Sequence, residues 1–577
     1  MRRFRVAAGL LAAMLVAAAC SGSGFGTVAA TGSPGGGPTG TGSPTGAAGA
    51  TPVRSRNLAL ARRVCDQTPR DVLLRTWRGV FLGRSGQVQL IPTFPNFING
   101  GFTHSTPFDY TQEVPLLFYG PGYVKPGVYD KQVTLADLAP TTGRLVGFDF
   151  QATDGTAQSQ IVLPVIGDQP LPRLVVTMVW DSGGMNVLNT WPDDWPYLRS
   201  LMPDGAWFTH ATVGASPSNT PVGHATIGTG AFPNHHGMAD EYILINGRLE
   251  KPNENGPAFM VEPSLADLYD RAMGNEPLIG AIATLSAHIM MMSHGTNWTG
   301  GDSDLAVTRE KEDAATGGDD SAVSWNLTSD MAPFYSLPSY VNELPGIERY
   351  NDELDRMDGA ADGLWRDNSI AQLHNGFDTP ARTLFQTPLI ESVITREGFG
   401  RDDVPDLLYV NYKAIDTIGH AFSANGIEMS DAVRVQDENL KEFVAFLDQT
   451  VGSGKWVLVL TADHGTQLDP EVSGAFMIDI ERFKEDLEKA FDDDGDDVDL
   501  FIKIRPTELW VNEAELSDNG LTFMDISEFV MGLTQAQTAK ATSPPKPGHE
   551  GDTVFAAALP STMLSELPCL PEARSGS

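Results

Sequence analysis

Three short apolar runs mark the middle of the chain: LVVTMVW at 174–180, DLLYVNYKAI at 406–415 and WVLVLTA at 456–462. Each reads as a strand buried within a parallel sheet. From 466 to 535 the pattern alternates between an amphipathic helix (ERFKEDLEKAF, 481–491) and short strands (DLFIKI, 499–504; ELWVN, 508–512), which predicts a small α/β lobe over 466–540. Residues 296–375 are polar and Gly/Asp-rich, with scattered aromatics such as Trp298, Trp325, Phe334, Tyr335, Tyr340 and Tyr350. They read as a cap-like insertion that shapes a pocket. No internal repeat appears. The pattern predicts an α/β fold, with a mostly parallel central sheet, helices on both faces and an inserted cap region, over a single domain at 56–570.

The first apolar stretch, VAAGLLAAMLVAAA at 6–19, follows Arg2, Arg3 and Arg5 and is too short for a good membrane span. It ends in Ala18-Ala19-Cys20 and is followed by Ser21-Gly22-Ser23, which resembles a bacterial lipoprotein processing site. Residues 1–20 are expected to be a signal peptide with Cys20 lipidated, although Ala17 stands where Leu is usual. The alternative is an ordinary secretory signal. Residues 21–55, rich in Gly, Ser, Thr and Pro, are expected to tether the folded part outside the cytoplasm on the cell membrane. The other cysteines, Cys65 and Cys569, stand near the two ends of the folded part. In an exported protein they are expected to form a disulfide, contributing up to about 5 kcal/mol in the chain-entropy model.

Composition narrows the choice of partners. The 577 residues carry a formal charge of −35 with a pI near 4.5, which disfavours nucleic acid and anionic lipid surfaces. A local cationic site remains open, since a bound divalent metal inverts the field where it sits.

The candidate chemistry lies just past the apolar runs, where parallel sheets present ligands. Asp181 opens a Ser-Gly-Gly turn. Thr461-Ala462-Asp463-His464-Gly465 sets a carboxylate beside an imidazole. Asp416 and His420, four residues apart, fall on one face of a helical turn. Thr220 begins TPVGHATIGTG (220–230), a loop feeding a helix whose first N–H groups favour an anion.

These residues resemble the alkaline phosphatase superfamily, within it the type I phosphodiesterase and nucleotide pyrophosphatase branch. The resemblance spans about 85 to 535 and rests on the motifs. It implies two divalent metals, zinc being favoured over manganese or iron for mixed His and carboxylate ligands. One is held by Asp181, Asp463 and His464 and bridged by Thr220. The second takes Asp416, His420 and a further His that the family carries downstream. Here the only downstream candidate is His549, in poor surroundings. The stretch 84–120, with its Thr103-His104 turn, followed by VTLADLAP (133–140), resembles the family's closing segment. His104 is therefore the expected ligand, and 56–150 the closing segment moved forward by circular permutation, with Cys65 and Cys569 stapling the ends. The resemblance implies Thr220 as nucleophile and a phosphothreonine intermediate, hydrolysed at the second metal.

The groups that grip the phosphate match less well. The family's Asn twenty-one positions after the nucleophile falls on Glu241, a carboxylate beside Asp240, and Asn219 is the substitute amide donor. The Lys and Arg of the monoesterase branch have no counterpart in IATLSAHIMMMSHG (282–295), where His288 and His294 are the stand-ins. That favours diesters or nucleotide pyrophosphates over monoesters. The alternatives are a phosphomonoesterase of the same fold and a degenerate metal-binding surface lipoprotein. A sulfatase would need an oxidisable Cys or Ser followed by Pro and Arg, which Thr220 lacks. Met290, Met291 and Met292 read as core packing. His224, one helical turn from Thr220, reads as a residue standing behind the ligands or packing, His235 and His236 as structural hydrogen-bonding residues, and the acidic run 492–497 as a solvated turn rather than a calcium loop.

Overall fold

The computed structural model describes residues 50–98, 102–164, 170–252, 256–284, 289–293, 300–308, 325–327, 331–357, 359–492, 495, 498–540 and 543–574. Cys20, the signal stretch and most of the tether lie outside them, as do His288, His294, Trp298 and four residues of the acidic run. Among the described residues, no helix is long and apolar enough to cross a membrane. The helix Ala50–Gln67 begins within the stretch read as tether.

The central sheet has nine strands. From one edge they are Tyr335–Ser336, Asp304–Val307, Ile279–Ala283, Asp406–Tyr412, Leu174–Trp180, Trp456–Thr461, Leu116–Tyr119, Ala206–Thr212 and Gly127–Thr134. Leu116–Tyr119 alone is antiparallel to its neighbours; every other pairing is parallel. Alternation along the three apolar runs explains why they contain so few polar positions. Val176, Met178, Leu408, Val410, Leu458 and Leu460 pack on one face with Leu389 and Val433 of the helices Ala381–Val393 and Ile427–Leu447. Val175, Val179, Leu407, Tyr409, Val457 and Val459 pack on the other with Leu138 and Leu265 of the helices Leu138–Leu145 and Leu265–Met273. Both faces are covered, so both sets are apolar, and each fully buried side chain contributes roughly 1.5–3 kcal/mol.

The described part of 296–375 supplies two of the edge strands, Asp304–Val307 and Tyr335–Ser336, rather than lying wholly between sheet motifs. Its aromatics Trp325, Tyr350 and Trp365 are buried in the core, with Trp325 stacked on Phe385 at 5.6 Å. Met290, Met291 and Met292 are buried, as packing residues would be.

A second, four-stranded antiparallel sheet runs Phe501–Ile504, Glu508–Val511, Val88–Pro92, Phe555–Pro560. The helix Ile480–Phe491 covers it through Phe483 and Leu487. This sheet draws strands from beyond 466–540 at both ends. The early segment is thus divided, Val88–Pro92 joining this sheet and Leu116–Tyr119 the central one. Cys65 and Cys569 are joined by a disulfide and pack against the same cluster.

Candidate metal and catalytic centre

Asp181 directly follows the strand Leu174–Trp180, and Asp463 and His464 follow Trp456–Thr461 after one alanine. Asp416 and His420 lie on the helix Ala414–Phe422, which leaves the strand Asp406–Tyr412. These strands are parallel, so the five side chains share one edge of the sheet. Thr220 is the first residue of the helix Thr220–Thr229, capped by Asn219 Oδ1, which accepts from Val222 N–H at 3.3 Å. Gly223 lets this helix approach the strand end. A Cβ there would lie 2.7 Å from Asp463 Cβ and 2.8 Å from its carbonyl oxygen, so any larger residue would lift Thr220 away.

His104 enters from the loop between Phe97–Ile98 and the short helix Asp109–Gln112. That loop is bound to the residues ahead of Thr220. Ser218 Oγ donates to the carbonyls of His104 (2.6 Å) and Thr106 (2.9 Å), and Gln112 Nε2 donates to Ala215 O at 2.8 Å.

All seven expected ligands therefore converge. His104 Nε2 and His420 Nε2 each lie 3.6 Å from Asp416 Oδ1. Their Nδ1 atoms face the carbonyls of Ser218 and Phe102, both at 2.9 Å. A carbonyl on Nδ1 fixes the proton there and leaves the Nε2 lone pair for a cation, the usual arrangement around metal-ligating histidines. Burial holds His104 well below the ordinary imidazole value, so the ring is neutral. Around Thr220, His464 Nε2 lies 3.4 Å from Asp463 Oδ2, 3.8 Å from Asp181 Oδ1 and 3.4 Å from Thr220 Oγ1. Burial brings His464 down to about 3 and pushes Asp181 up to about 6 and Asp463 well above the carboxylate range.

Asp463 Oδ2 is buried without a hydrogen-bond partner, a state that a bound cation relieves. The ligand atoms of His104, Asp416 and His420 lie within 4.8 Å of one another, as do those of Asp181, Asp416 and His464 and those of Asp181, His224 and Asp463. These donor sets fit divalent transition metals. His224, expected either to pack or to stand behind the ligands, borders the centre, its Nε2 3.7 Å from Asp463 Oδ2 and 3.0 Å from Asn411 Nδ2. His549 is exposed and pairs with Asp552 at 2.7 Å, away from these groups.

Sequence reasoning missed three residues. Lys413 is buried, with Nζ 2.9 Å from both Asp181 oxygens, 2.9 Å from Asp416 Oδ2 and 3.1 Å from Thr220 Oγ1. Burial alone would lower its pKa. Asp181, Asp416 and Asp463 instead raise it, so the ammonium stays charged. Burial would likewise raise Asp416, yet Lys413 and the neighbouring histidines hold it well below the carboxylate range.

Ser182, with φ of 62°, sits in the left-handed region. From there its N–H reaches Asp463 Oδ1 at 3.0 Å, and its Oγ lies 2.9 Å from Asp416 Oδ1 and 3.1 Å from His464 Nδ1. Strain tolerated by a non-glycine residue among ligands is typical of a functional site. The Ser-Gly-Gly turn was the available signal.

Arg505, from the small sheet's lobe, ion-pairs with Glu241 and lies 3.5 Å from Asp240 Oδ2. Burial would raise the Glu241 carboxyl, but Arg505 brings it below its ordinary value. The acidic pair is therefore neutralised in part by a cation from far along the chain. Asn219 is already engaged: besides capping the helix, its Nδ2 donates to Asp240 Oδ1 at 2.6 Å. It brackets the helix Thr220–Thr229 to the acidic pair, and this bond engages one of its two amide protons. His236 bonds Thr226 Oγ1 at 3.2 Å and His235 bonds Asp154 at 2.7 Å, structural roles both.

The family model described as type I phosphodiesterase / nucleotide pyrophosphatase matches residues 175–522. Six of the seven expected ligands lie inside the match and His104 outside it. The chain is 23% identical over 335 residues to a protein named calcium-transporting ATPase from Myroides odoratus, covering 52% of this chain and 61% of that one. It is 22% identical over 409 residues to alkaline phosphatase PafA from Elizabethkingia meningoseptica, covering 63% of this chain and 73% of that one. The chain therefore spans about three fifths of the length of the first relative. A crystal structure of wild-type alkaline phosphatase PafA superposes with a TM-score of 0.48 at 16% identity, covering 68% of this chain and 85% of that one.

Proposed function

The chain belongs to the type I phosphodiesterase/nucleotide pyrophosphatase family, and from that premise we propose that it is a metal-dependent phosphoric ester hydrolase with Thr220 as nucleophile, acting on diesters or nucleotide pyrophosphates. The observation that carries this reading is the convergence of Thr220 Oγ1 with His464 Nε2 (3.4 Å), Lys413 Nζ (3.1 Å) and the buried Asp463 carboxylate, whose Oδ2 has no hydrogen-bond partner, at one end of the sheet. Asp181, Asp463 and His464 would hold one divalent ion and Asp416, His420 and His104 another, zinc suiting the mixed donors best. When bound, such ions supply Lewis-acid stabilisation of charge on the attacking and leaving oxygens.

The chain's own groups do the rest. Lys413 donates to Thr220 Oγ1 and favours its deprotonated form. The dipole of the helix Thr220–Thr229 sets positive potential at its amino end, beside Thr220, which favours an anionic ester there. Thr220 Oγ forms the new P–O bond as the leaving oxygen departs, and water then cleaves the phosphothreonine and restores the hydroxyl.

His104 is the proposed replacement for the family's downstream histidine. It is carried on a closing segment moved to the front of a single domain, with Cys65–Cys569 stapling its ends. Export as a lipoprotein through Cys20, with a tether clear of the membrane, belongs to the same proposal and rests on the sequence of residues 1–55. A second reading, phosphomonoester hydrolysis, is favoured by Lys413, a buried cation beside the nucleophile that can offset the extra charge of a dianionic ester.

Aryl phosphate diesters, monoesters and sulfates, each assayed with and without chelator, separate these readings. Chelator-sensitive hydrolysis with the highest kcat/KM on the diester is expected. A higher value on the monoester would select the second reading. Hydrolysis that is absent, or that ignores the chelator, would leave only a metal-binding protein. Lys413→Met is expected to lower kcat on the preferred ester by roughly 10²–10³-fold, the scale for losing one preorganised charged donor, without loss of bound metal. An unchanged kcat would show that the ammonium only balances charge at rest.

A further inference from the structure

The sheet that gathers the candidate ligands at the carboxyl ends of its central strands has a second polar cluster at the amino end of a different strand. Asp304 is the first residue of the strand Asp304–Val307, parallel to Ile279–Ala283, and Asp302 lies two residues ahead of it. Asp270 is in the last turn of the helix Leu265–Met273, where the helix dipole adds negative potential. One carboxylate oxygen from each of Asp270, Asp302 and Asp304 lies within 4.8 Å of the other two.

Proximity of acids alone would mean little, but Asp270 is an anomaly. It is only 3% exposed, and neither of its carboxylate oxygens has a hydrogen-bond partner. A buried, unsatisfied carboxylate costs several kcal/mol unless a cation or a proton neutralises it. Burial, together with the charges of Asp302 and Asp267, pushes the Asp270 carboxyl up to about 7 and lifts Asp304 well above the carboxylate range. Asn275, just past the helix end, binds back to Asp270 O through its N–H (3.1 Å) and reaches Gly300 O through Nδ2 (2.9 Å). It thereby ties the helix end to the strand that brings Asp302, and its own Oδ1 is buried without a partner.

We infer that Asp270, Asp302 and Asp304 form a calcium site at the amino edge of the central sheet, separate from the catalytic centre. The donors are all oxygen, with no imidazole or thiol, which selects a hard cation and excludes the zinc-type ion of the other site. Calcium suits two buried carboxylates better than magnesium, which gives up its water shell reluctantly. The ion would clamp the helix Leu265–Met273 to the start of the strand Asp304–Val307, securing the edge of the sheet.

The test uses purified protein saturated with zinc and stripped of calcium. Adding calcium chloride at about 100-fold above Kd is expected to raise Tm by roughly 3–5 °C, with one additional calcium per chain by equilibrium dialysis. Asp302→Asn is the informative variant because Asp302 is exposed and the substitution keeps its shape. It should fold, keep wild-type ester hydrolysis in the calcium-free state and bind calcium at least tenfold more weakly. Asp270→Asn should abolish the calcium-dependent shift. Zinc-loaded wild type that binds no calcium, or an Asp302→Asn variant that binds it as tightly as wild type, would overturn the site.

Discussion

Thr220→Ala is expected to lower turnover by on the order of 10⁴–10⁶-fold, the range seen when a covalent nucleophile is removed from a site whose binding groups stay in place. The structure gives reasons to expect a clean variant. Thr220 is the first residue of its helix, so its hydroxyl completes no helical bond, and Asn219 provides the cap. Its Oγ1 contacts Lys413 and His464 and nothing that holds the fold. Metal content should therefore match wild type, and a phosphoryl adduct trapped on the wild-type peptide containing Thr220 should vanish in the variant. A variant that turns over at the wild-type rate would remove the covalent mechanism. Thr220→Ser should retain much of the rate, because it keeps the oxygen and loses only a methyl group.

His104→Ala should be nearly as severe. Without His104, Asp416 and His420 alone remain in that group, and His420 is half exposed and open to competition from water. Bound metal is expected to fall from two ions to one per chain, counted by elemental analysis. Turnover should fall by roughly 10³-fold, corresponding to loss of several kcal/mol of transition-state charge stabilisation. His549→Ala should change neither, since its ring lies at the surface against Asp552. Loss of one ion in His549→Ala, with His104→Ala unaffected, would refute both the assignment and the circular permutation proposed with it.

The convergence of Asp181, Asp416 and Asp463 was legible because parallel strands bring the residues that follow them to one edge. An Asp that ends an apolar run can point only into the crevice at that edge, and Asp181, Asp416 and Asp463 each do so. Lys413 was hidden by the same logic: inside DLLYVNYKAI it looks like one polar interruption of a strand, whereas the strand ends at Tyr412 and the lysine turns back onto the carboxylates. Arg505 could not be linked to Glu241 because the two are joined only by packing of the second sheet's lobe on the nucleophile region. The aromatics of 296–375 suggested a pocket-shaping insertion. Trp325 and Tyr350 are instead core anchors beneath added edge strands, and composition does not distinguish the two.

The reversed strand Leu116–Tyr119 also constrains how the molecule is made. It is synthesised early, yet it pairs with Ala206–Thr212 on one side and with the much later Trp456–Thr461 on the other. Contacts between segments so distant in the chain close slowly, and the exposed edges invite misassembly meanwhile. Until Trp456–Thr461 is available, the sheet has a gap on one side of Leu116–Tyr119, and Asp463 and His464 do not yet exist. A polypeptide interrupted before that point cannot assemble the Thr220 surroundings, so catalysis by this centre would report that the chain had been synthesised through His464 and the central sheet closed.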